Sequence, residues 1–190
     1  KKFSEPEHQL DIDFVYDLGD RGHDQEYFNQ AYADDGSLFP IYDREKQGEK
    51  RNDSEIMSKI DYTRPFGEGM SLEAGLHHNL RLKYTDTWFS IYDDTGNYVD
   101  DPSRSNIFDY SENVMAAYLS WGHEIGSFGY KAGLRHETTI LKSALENDPE
   151  NKYDQTYSRL YPSIHLMQNI GATNTLLLSY SRRIERPNSW

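Results

Sequence analysis

The sequence predicts an all-β fold: an antiparallel up-and-down meander of about seven long strands, forming part of a membrane-spanning β-barrel. Three observations predict it. Apolar and polar residues alternate with period two through much of the chain, the mark of a strand with one apolar face. Several of these runs last 10 to 13 residues. Strands of soluble domains cluster near five or six, whereas a tilted strand crossing a bilayer needs about 9–11. Finally, tight turns alternate with long polar links, as periplasmic turns alternate with extracellular loops.

The elements follow in order. At 9–17, Leu10, Ile12, Phe14 and Tyr16 alternate with Asp11, Asp13 and Val15. A polar link at 18–53 follows, with a faint hairpin pattern at 26–44. The strand 54–64 sets Ile56, Ile60 and Tyr62 opposite Lys59 and Asp61. After the turn Pro65-Phe66-Gly67-Glu68-Gly69, one face carries Leu72, Ala74, Leu76, Leu80 and Leu82. The other carries Glu73, His77, Asn79, Arg81 and Lys83. A second link spans 85–111. The segment 112–122 is apolar on both faces, with Val114, Ala116 and Tyr118 opposite Met115, Leu119 and Trp121. A turn at 122–127 leads to 128–138, where Phe128, Tyr130, Ala132 and Leu134 oppose Lys131, Arg135 and Glu137. A third link at 140–156 precedes a strand near 157–168 marked by Ile164 and Leu166. A turn at 168–173 precedes the last strand, where Leu176, Leu178 and Tyr180 oppose Ser179, Ser181 and Arg183. In this reading 9–17 and 128–140 run outward, and 54–64 and 112–122 run inward.

Composition narrows the function. The chain has 190 residues, enough for one domain, with 32 acidic against 20 basic residues and a net charge of −12. That balance argues against a nucleic-acid partner, which needs basic patches to displace counterions. An aromatic content of 14% argues against disorder. With no cysteine there is neither a disulfide framework nor a thiolate metal site. No apolar run reaches the roughly 18 residues of a membrane helix, but a barrel needs only alternate residues to be apolar. Residues 1–190 read as a single barrel segment, with 54–190 carrying the stronger pattern and 1–53 the looser one. The Lys1-Lys2-Phe3 start and the end at Trp190 suggest a segment of something larger.

A barrel inverts the soluble pattern: apolar residues face lipid and charges face a wet lumen. An Arg or Lys on the lipid face costs about 2–4 kcal/mol at the midplane, so Lys131, Arg135 and Glu137 must point inward if a bilayer is present. Gly129 and Gly133 share their face, as suits a lumen whose backbone approaches a plug. The plain alternative is a half-exposed sheet with its charges in bulk water.

Candidate sites are few. His77 and His78 are adjacent, so on a strand they face opposite ways and cannot chelate together. His123 and His136 lack the second histidine of a zinc helix. The link 85–111 carries Asp86, Asp93, Asp94, Asp100, Asp101 and Asp109 against Arg104 alone. These carboxylates suit calcium or simple solvation, and Asp93-Asp94-Thr95-Gly96-Asn97 does not fit an EF-hand loop. Trp88, Phe89, Tyr92 and Tyr98 either stack on a sugar or flat ligand or pack the link onto its neighbours. Arg182, Arg183 and Arg186 form a basic cluster for acidic loops or lipid phosphates. Tyr62, Tyr84, Tyr118, Tyr157 and Tyr161 suit interfacial aromatic girdles. No nucleophile elbow, phosphate-binding glycine loop or HExxH motif is present, so no catalytic, cofactor or metal residue is assigned. The ligand-contact candidates are Trp88, Tyr92, Tyr98, Lys131, Arg135 and Glu137.

The stretch Glu112-Asn113-Val114-Met115-Ala116-Ala117-Tyr118-Leu119, a tight turn, and Tyr130-Lys131-Ala132-Gly133-Leu134-Arg135-His136-Glu137 resembles the barrel of TonB-dependent outer-membrane receptors. It looks most like the outer-membrane β-barrel family common in Bacteroidetes. Asp61-Tyr62-Thr63-Arg64-Pro65 with Leu72-Glu73-Ala74-Gly75 resembles an earlier hairpin of that family. Tyr161-Pro162-Ser163-Ile164-His165-Leu166, with the run Leu178-Ser179-Tyr180-Ser181-Arg182-Arg183-Ile184-Glu185-Arg186-Pro187, resembles a later one. The resemblance implies an outer-membrane location and uptake of a scarce nutrient through a plugged barrel of about 22 strands. It also implies lipid, a plug domain and TonB as partners. No plug and no TonB-contacting box is visible here, and seven strands cannot close such a barrel. An isolated segment would leave two edges and a lipid face open, so edge-to-edge oligomers are expected. The rival readings are a soluble all-β carbohydrate-binding module and a β-rich hydrolase fragment.

Overall fold

The computed structural model describes residues 7–183 and forms one antiparallel sheet of eight strands. They are β1 (Gln9–Tyr32), β2 (Leu38–Phe66), β3 (Met70–Tyr92), β4 (Tyr98–Asp100), β5 (Asn106–Ile125), β6 (Phe128–Leu145), β7 (Asp148–Ile170) and β8 (Asn174–Ser181). Sheet order is β1-β2-β3-β5-β6-β7-β8, with the three-residue β4 appended to β3. The meander and its seven principal strands match the sequence pattern, and β4 is the one addition.

The polar links are corrected. Residues 18–53, 85–111 and 140–156 are mostly not loops but continuations of the strands. β1 and β2 stay paired from Gln9 with Thr63 to Tyr32 with Leu38. The faint hairpin at 26–44 is the tip of that ribbon. The connections at this end are short too: 33–37, 93–97, 101–105 and 146–147. The physical reason is plain. Backbone pairing is indifferent to side-chain polarity, and where a strand has water on both faces nothing enforces alternation. The apolar alternation therefore stops while the ladder continues.

The register tests the inverted pattern directly, because paired residues share a face. Ile12 pairs Ile60, Ile60 pairs Leu76, and Leu76 pairs Ala117. Two residues along β3, Ala74 pairs Leu119, and Leu119 pairs Leu134. The apolar stripes of neighbouring strands thus lie on one continuous face. Ile60, Leu76, Leu119, Leu134 and Ile164 each stand six residues above a tight turn. They are exposed: Leu76 by 58%, Leu119 by 54%. On the opposite face Ala116 and Glu137 are buried. The run Leu72–Leu82, at about 3.4 Å per residue and a tilt near 40°, makes an apolar band roughly 26 Å tall.

β5 resolves its ambiguity the same way. Met115, Leu119 and Trp121 face outward, while Val114, Ala116 and Tyr118 face inward. The aromatic girdle is likewise corrected. Tyr62 and Tyr84 lie on the outer face, but Tyr118, Tyr157 and Tyr161 share the inner face with Arg135 and Glu137. The lower rim is built instead from Phe66 and Trp121, 5.8 Å apart, and Phe128 and Tyr130, 6.3 Å apart. Turn chemistry fixes this rim. Gly69 sits at φ 71°, and a Cβ there would come within 2.7 Å of the Glu124 carbonyl oxygen.

Candidate functional site

The inner face of β2, β3, β5 and β6 carries a ladder of polar contacts. Lys131 on β6 reaches Glu73 on β3 at 2.6 and 2.7 Å, crossing β5, and Ser120 on β5 donates to the same carboxylate at 3.2 Å. Arg81 bonds Glu55 at 2.9 Å and Glu112 at 3.4 Å, while Asn79 donates to Glu55 at 2.8 Å. Arg135 bonds Glu137 at 3.0 and 3.3 Å.

The centre of the ladder is Asp61. It accepts from Lys59 at 2.5 Å, from the Tyr118 hydroxyl at 2.8 Å and from His77 Nε2 at 3.0 Å. Arg135 Nη1 lies 3.2 Å from His77 Nδ1. A guanidinium only donates, so Nδ1 accepts and Nε2 carries the proton given to Asp61. The chain Lys59, Asp61, His77, Arg135, Glu137 thus links β2, β3 and β6.

Glycine makes this reach possible. Tyr118, Gly75 and Asp61 stand side by side on β5, β3 and β2. A Cβ on Gly75 would collide with the Tyr118 ring and lie 2.5 Å from the Asp61 carboxylate. Its absence lets the ring lie flat across β3. Gly129 and Gly133 are crowded by their neighbours across the sheet. Met167 Cε would lie 3.2 Å from a Cβ on Gly129, and Ser163 Oγ 2.8 Å from one on Gly133. The chain's own side chains occupy that space.

The six ligand-contact candidates therefore fall into two groups on opposite faces. Lys131, Arg135 and Glu137 lie together on the inner wall, each with an ionic partner. Trp88, Tyr92 and Tyr98 lie on the outward-facing side of the extension above the band. Trp88 covers Gly48, where a Cβ would run into its ring. Tyr92 and Tyr98 meet edge to face at 5.2 Å. Arg44 stands 5.1 Å from the rings of Phe28 and Tyr92, and Lys46 stands 4.0 Å from that of Tyr98. The Tyr98 hydroxyl donates to Glu26, which raises its pKa. These aromatics hold the extension together.

The acidic links resolve into turns. Asp93 accepts from the Asn97 amide at 3.0 Å and from the Thr95 amide and hydroxyl at 2.9 and 2.7 Å. Those bonds, the Asn97 amide foremost, hold its carboxyl below the usual range. Asp35 with Ser37 and Asp101 with Ser103 repeat the arrangement. Arg104 clasps Glu45 at 2.8 and 2.9 Å while lying 4.6 Å from the Phe89 ring. His77 and His78 do face opposite ways, and His78 bonds Asn113 at 3.0 Å on the outer face. Among the described residues no group of three or more His, Asp or Glu is placed to hold a metal ion. Arg182 and Arg183 are exposed beyond β8, and Arg186 lies outside the described residues. Asp61, His77 and Tyr118 are the residues that periodicity misses as a cluster. Counting upward from the turn 67–69 sets Asp61 beside Gly75, two residues from His77, but placing Tyr118 beside them requires the β3–β5 register.

No curated protein matches the chain. Among solved structures, one similar in fold is that titled "Crystal structure of ferric citrate transporter FecA in the unliganded form", at 13% identity and a TM-score of 0.48. The match covers 85% of this chain but only 24% of that one, so this chain spans about a quarter of its length. The model of the outer membrane protein beta-barrel family matches residues 1–190. With its apolar face turned outward and its charges inward, the chain belongs to the outer membrane protein beta-barrel family and resides in the outer membrane.

Proposed function

We propose that this chain is part of the wall of a TonB-dependent importer that takes up a scarce nutrient without chemical conversion. The observation that carries the reading is the inner ladder centred on Asp61, His77 and Arg135, set behind an apolar outer face. A continuous polar wall suits a solute pathway and leaves no use for the charges if both faces were meant for lipid. Lys131 and Arg135 serve as the ligand-facing charges, with buried Glu137 holding Arg135 in place, and Trp88, Tyr92 and Tyr98 stiffen the mouth above them. The remaining strands, the plug domain and the link to TonB come from the whole protein. The free edges of β1 and β8 pair with its other strands, and an isolated segment would pair edge to edge instead. A carbohydrate-binding module is disfavoured because its supposed sugar platform is already engaged by Arg44, Lys46 and Glu26.

The test is uptake. Deleting the gene in its host should abolish growth on one limiting iron, vitamin, glycan or peptide source. Restoring the gene should restore growth only where TonB is present. Full growth on every source after deletion, or uptake that persists without TonB, would overturn the proposal.

A further inference from the structure

We infer that the lipid-facing side of β2, β3, β5 and β6 is an interface for a second copy of this protein within the outer membrane. This interface concerns only the outer surface of the wall and stands apart from the importer reading. The apolar band has a break. Six residues above the turns the outer face is wholly apolar, with Ile60, Leu76, Leu119, Leu134 and Ile164. Eight residues above them it carries Ser58, His78, Ala117, His136 and Pro162. The register continues the break across the sheet: Ser58 pairs His78, His78 pairs Met115, Met115 pairs Thr138, and Thr138 pairs Ser158. Next to Ser58 on β1 stands Phe14, and Ile12, Phe14 and Tyr16 keep that strand's outer side apolar. The polar patch thus has an apolar border below it and on one flank. It lies inside the band, because His78 falls between Leu72 and Leu82.

Hydrocarbon offers these groups no partner. His78 bonds Asn113 through Nε2 at 3.0 Å, and His136 bonds Ser158 through Nε2 at 2.7 Å. Each ring has a second nitrogen, and among the described residues neither Nδ1 nor the Ser58 hydroxyl makes a hydrogen bond. Polar groups at membrane depth are costly unless protein or water meets them. The remaining strands of a barrel stand beside this face, never in front of it. A groove of about 610 Å³ opens here, with Ser58, His78, His136 and Thr138 around the small Ala117. Leu76 and Met115 stand exposed on its borders. Copies inserted the same way present this level at one height, so a two-fold axis along the membrane normal sets patch against patch. The patch holds both donors and acceptors, so it is complementary to itself, imidazole to hydroxyl and leucine to groove. Polar groups and small residues bind membrane segments together where lipid tails compete with every apolar contact. At about 4.8 Å per strand and a band roughly 26 Å tall, β2, β3, β5, β6 and β7 offer about 600 Å² in projection. A stable complex takes roughly 800 Å² of accessible surface per partner.

Site-directed crosslinking of the full-length protein in native outer membranes tests the contact, and residues 1–190 contain no cysteine to interfere. Ala117→Cys, at the centre of the patch, should be joined to its own copy by a short bismaleimide, giving a band at twice the monomer mass. Phe14→Cys, on the same face but outside the patch, should stay monomeric, as should the parent protein. A His78→Leu/His136→Leu double variant should weaken the purified dimer about tenfold or more, read by native mass spectrometry across a dilution series in detergent. Circular dichroism and heat-modifiable gel mobility of each variant establish that the barrel is intact. Absence of a crosslinked dimer in Ala117→Cys, or a dimer as tight in the double variant as in the wild type, would overturn the interface. So would crosslinking of Phe14→Cys in place of Ala117→Cys, or of Ala117→Cys to a different polypeptide alone. None of these outcomes bears on nutrient uptake, which stands or falls by the growth assay.

Discussion

The lower and upper halves of one strand, β3, show what alternation reports. From Leu72 to Leu82 every second side chain is apolar and outward, apart from His78, and the inner side carries Glu73, His77, Asn79 and Arg81. From Lys83 to Tyr92 the same strand, still in the ladder with β2 as far as Ile91, mixes Asp86 and Trp88 on the outer face with Thr85 and Phe89 on the inner. Both halves are extended, hydrogen-bonded strand. The solvent differs: the lower half has hydrocarbon on one side and water on the other, and the upper half has water on both. Period-two patterning reports an asymmetric surround and only incidentally a strand.

Placing one charge in both halves should give the largest contrast. Leu119→Arg puts a cation on the lipid face of the band and should cost about 2–4 kcal/mol, read by urea unfolding in liposomes. Asp86→Arg, on the same face higher up, should cost no more than about 1 kcal/mol. Equal costs would break the boundary drawn between them. A glycine pair follows. Gly75→Ala drives a methyl into Tyr118 and Asp61 and should destabilise by about 1–3 kcal/mol. Gly48→Ala meets the far end of Trp88, which can swing into open solvent, and should cost less; the same unfolding measurement decides.

A smaller effect is expected at Glu137→Gln, which weakens the hold on Arg135 inside the wet wall by roughly 1–2 kcal/mol. A double-mutant cycle with Arg135→Gln would return a coupling near zero if the pair is idle. The smallest is a pH effect confined to the upper half. Asp93 is depressed below its ordinary value of 3.8 by the Asn97 amide and Thr95, so its contribution is complete above that value. It is lost as pH falls through the lower folded value. Hydrogen exchange at the Asn97 amide should therefore quicken under strong acid while amides of the band stay protected.

Much of the lower half was legible beforehand because hydrocarbon imposes a rule on every second residue. Leu10 to Tyr16, Leu72 to Leu82 and Phe128 to Leu134 announce their face without reference to any neighbour. The upper half was not legible, since Arg21, Asp24, Gln25 and Glu26 form a strand through backbone bonds that leave no side-chain signature. The inner cluster was half legible. Lys131, Arg135 and Glu137 follow from alternation on one strand, but joining them to His77 and Asp61 requires the register across three. Tyrosine misled for a related reason: composition places Tyr118 and Tyr161 near strand ends, and only parity with Arg135 shows them turned inward.

The long β1–β2 ribbon has a consequence for how a solute arrives. From Asn52 to Leu38 it climbs roughly 35 Å above the hydrocarbon at an ordinary strand rise and tilt. In the importer proposed above, this stiff, braced blade is what a solute meets before the membrane-spanning wall.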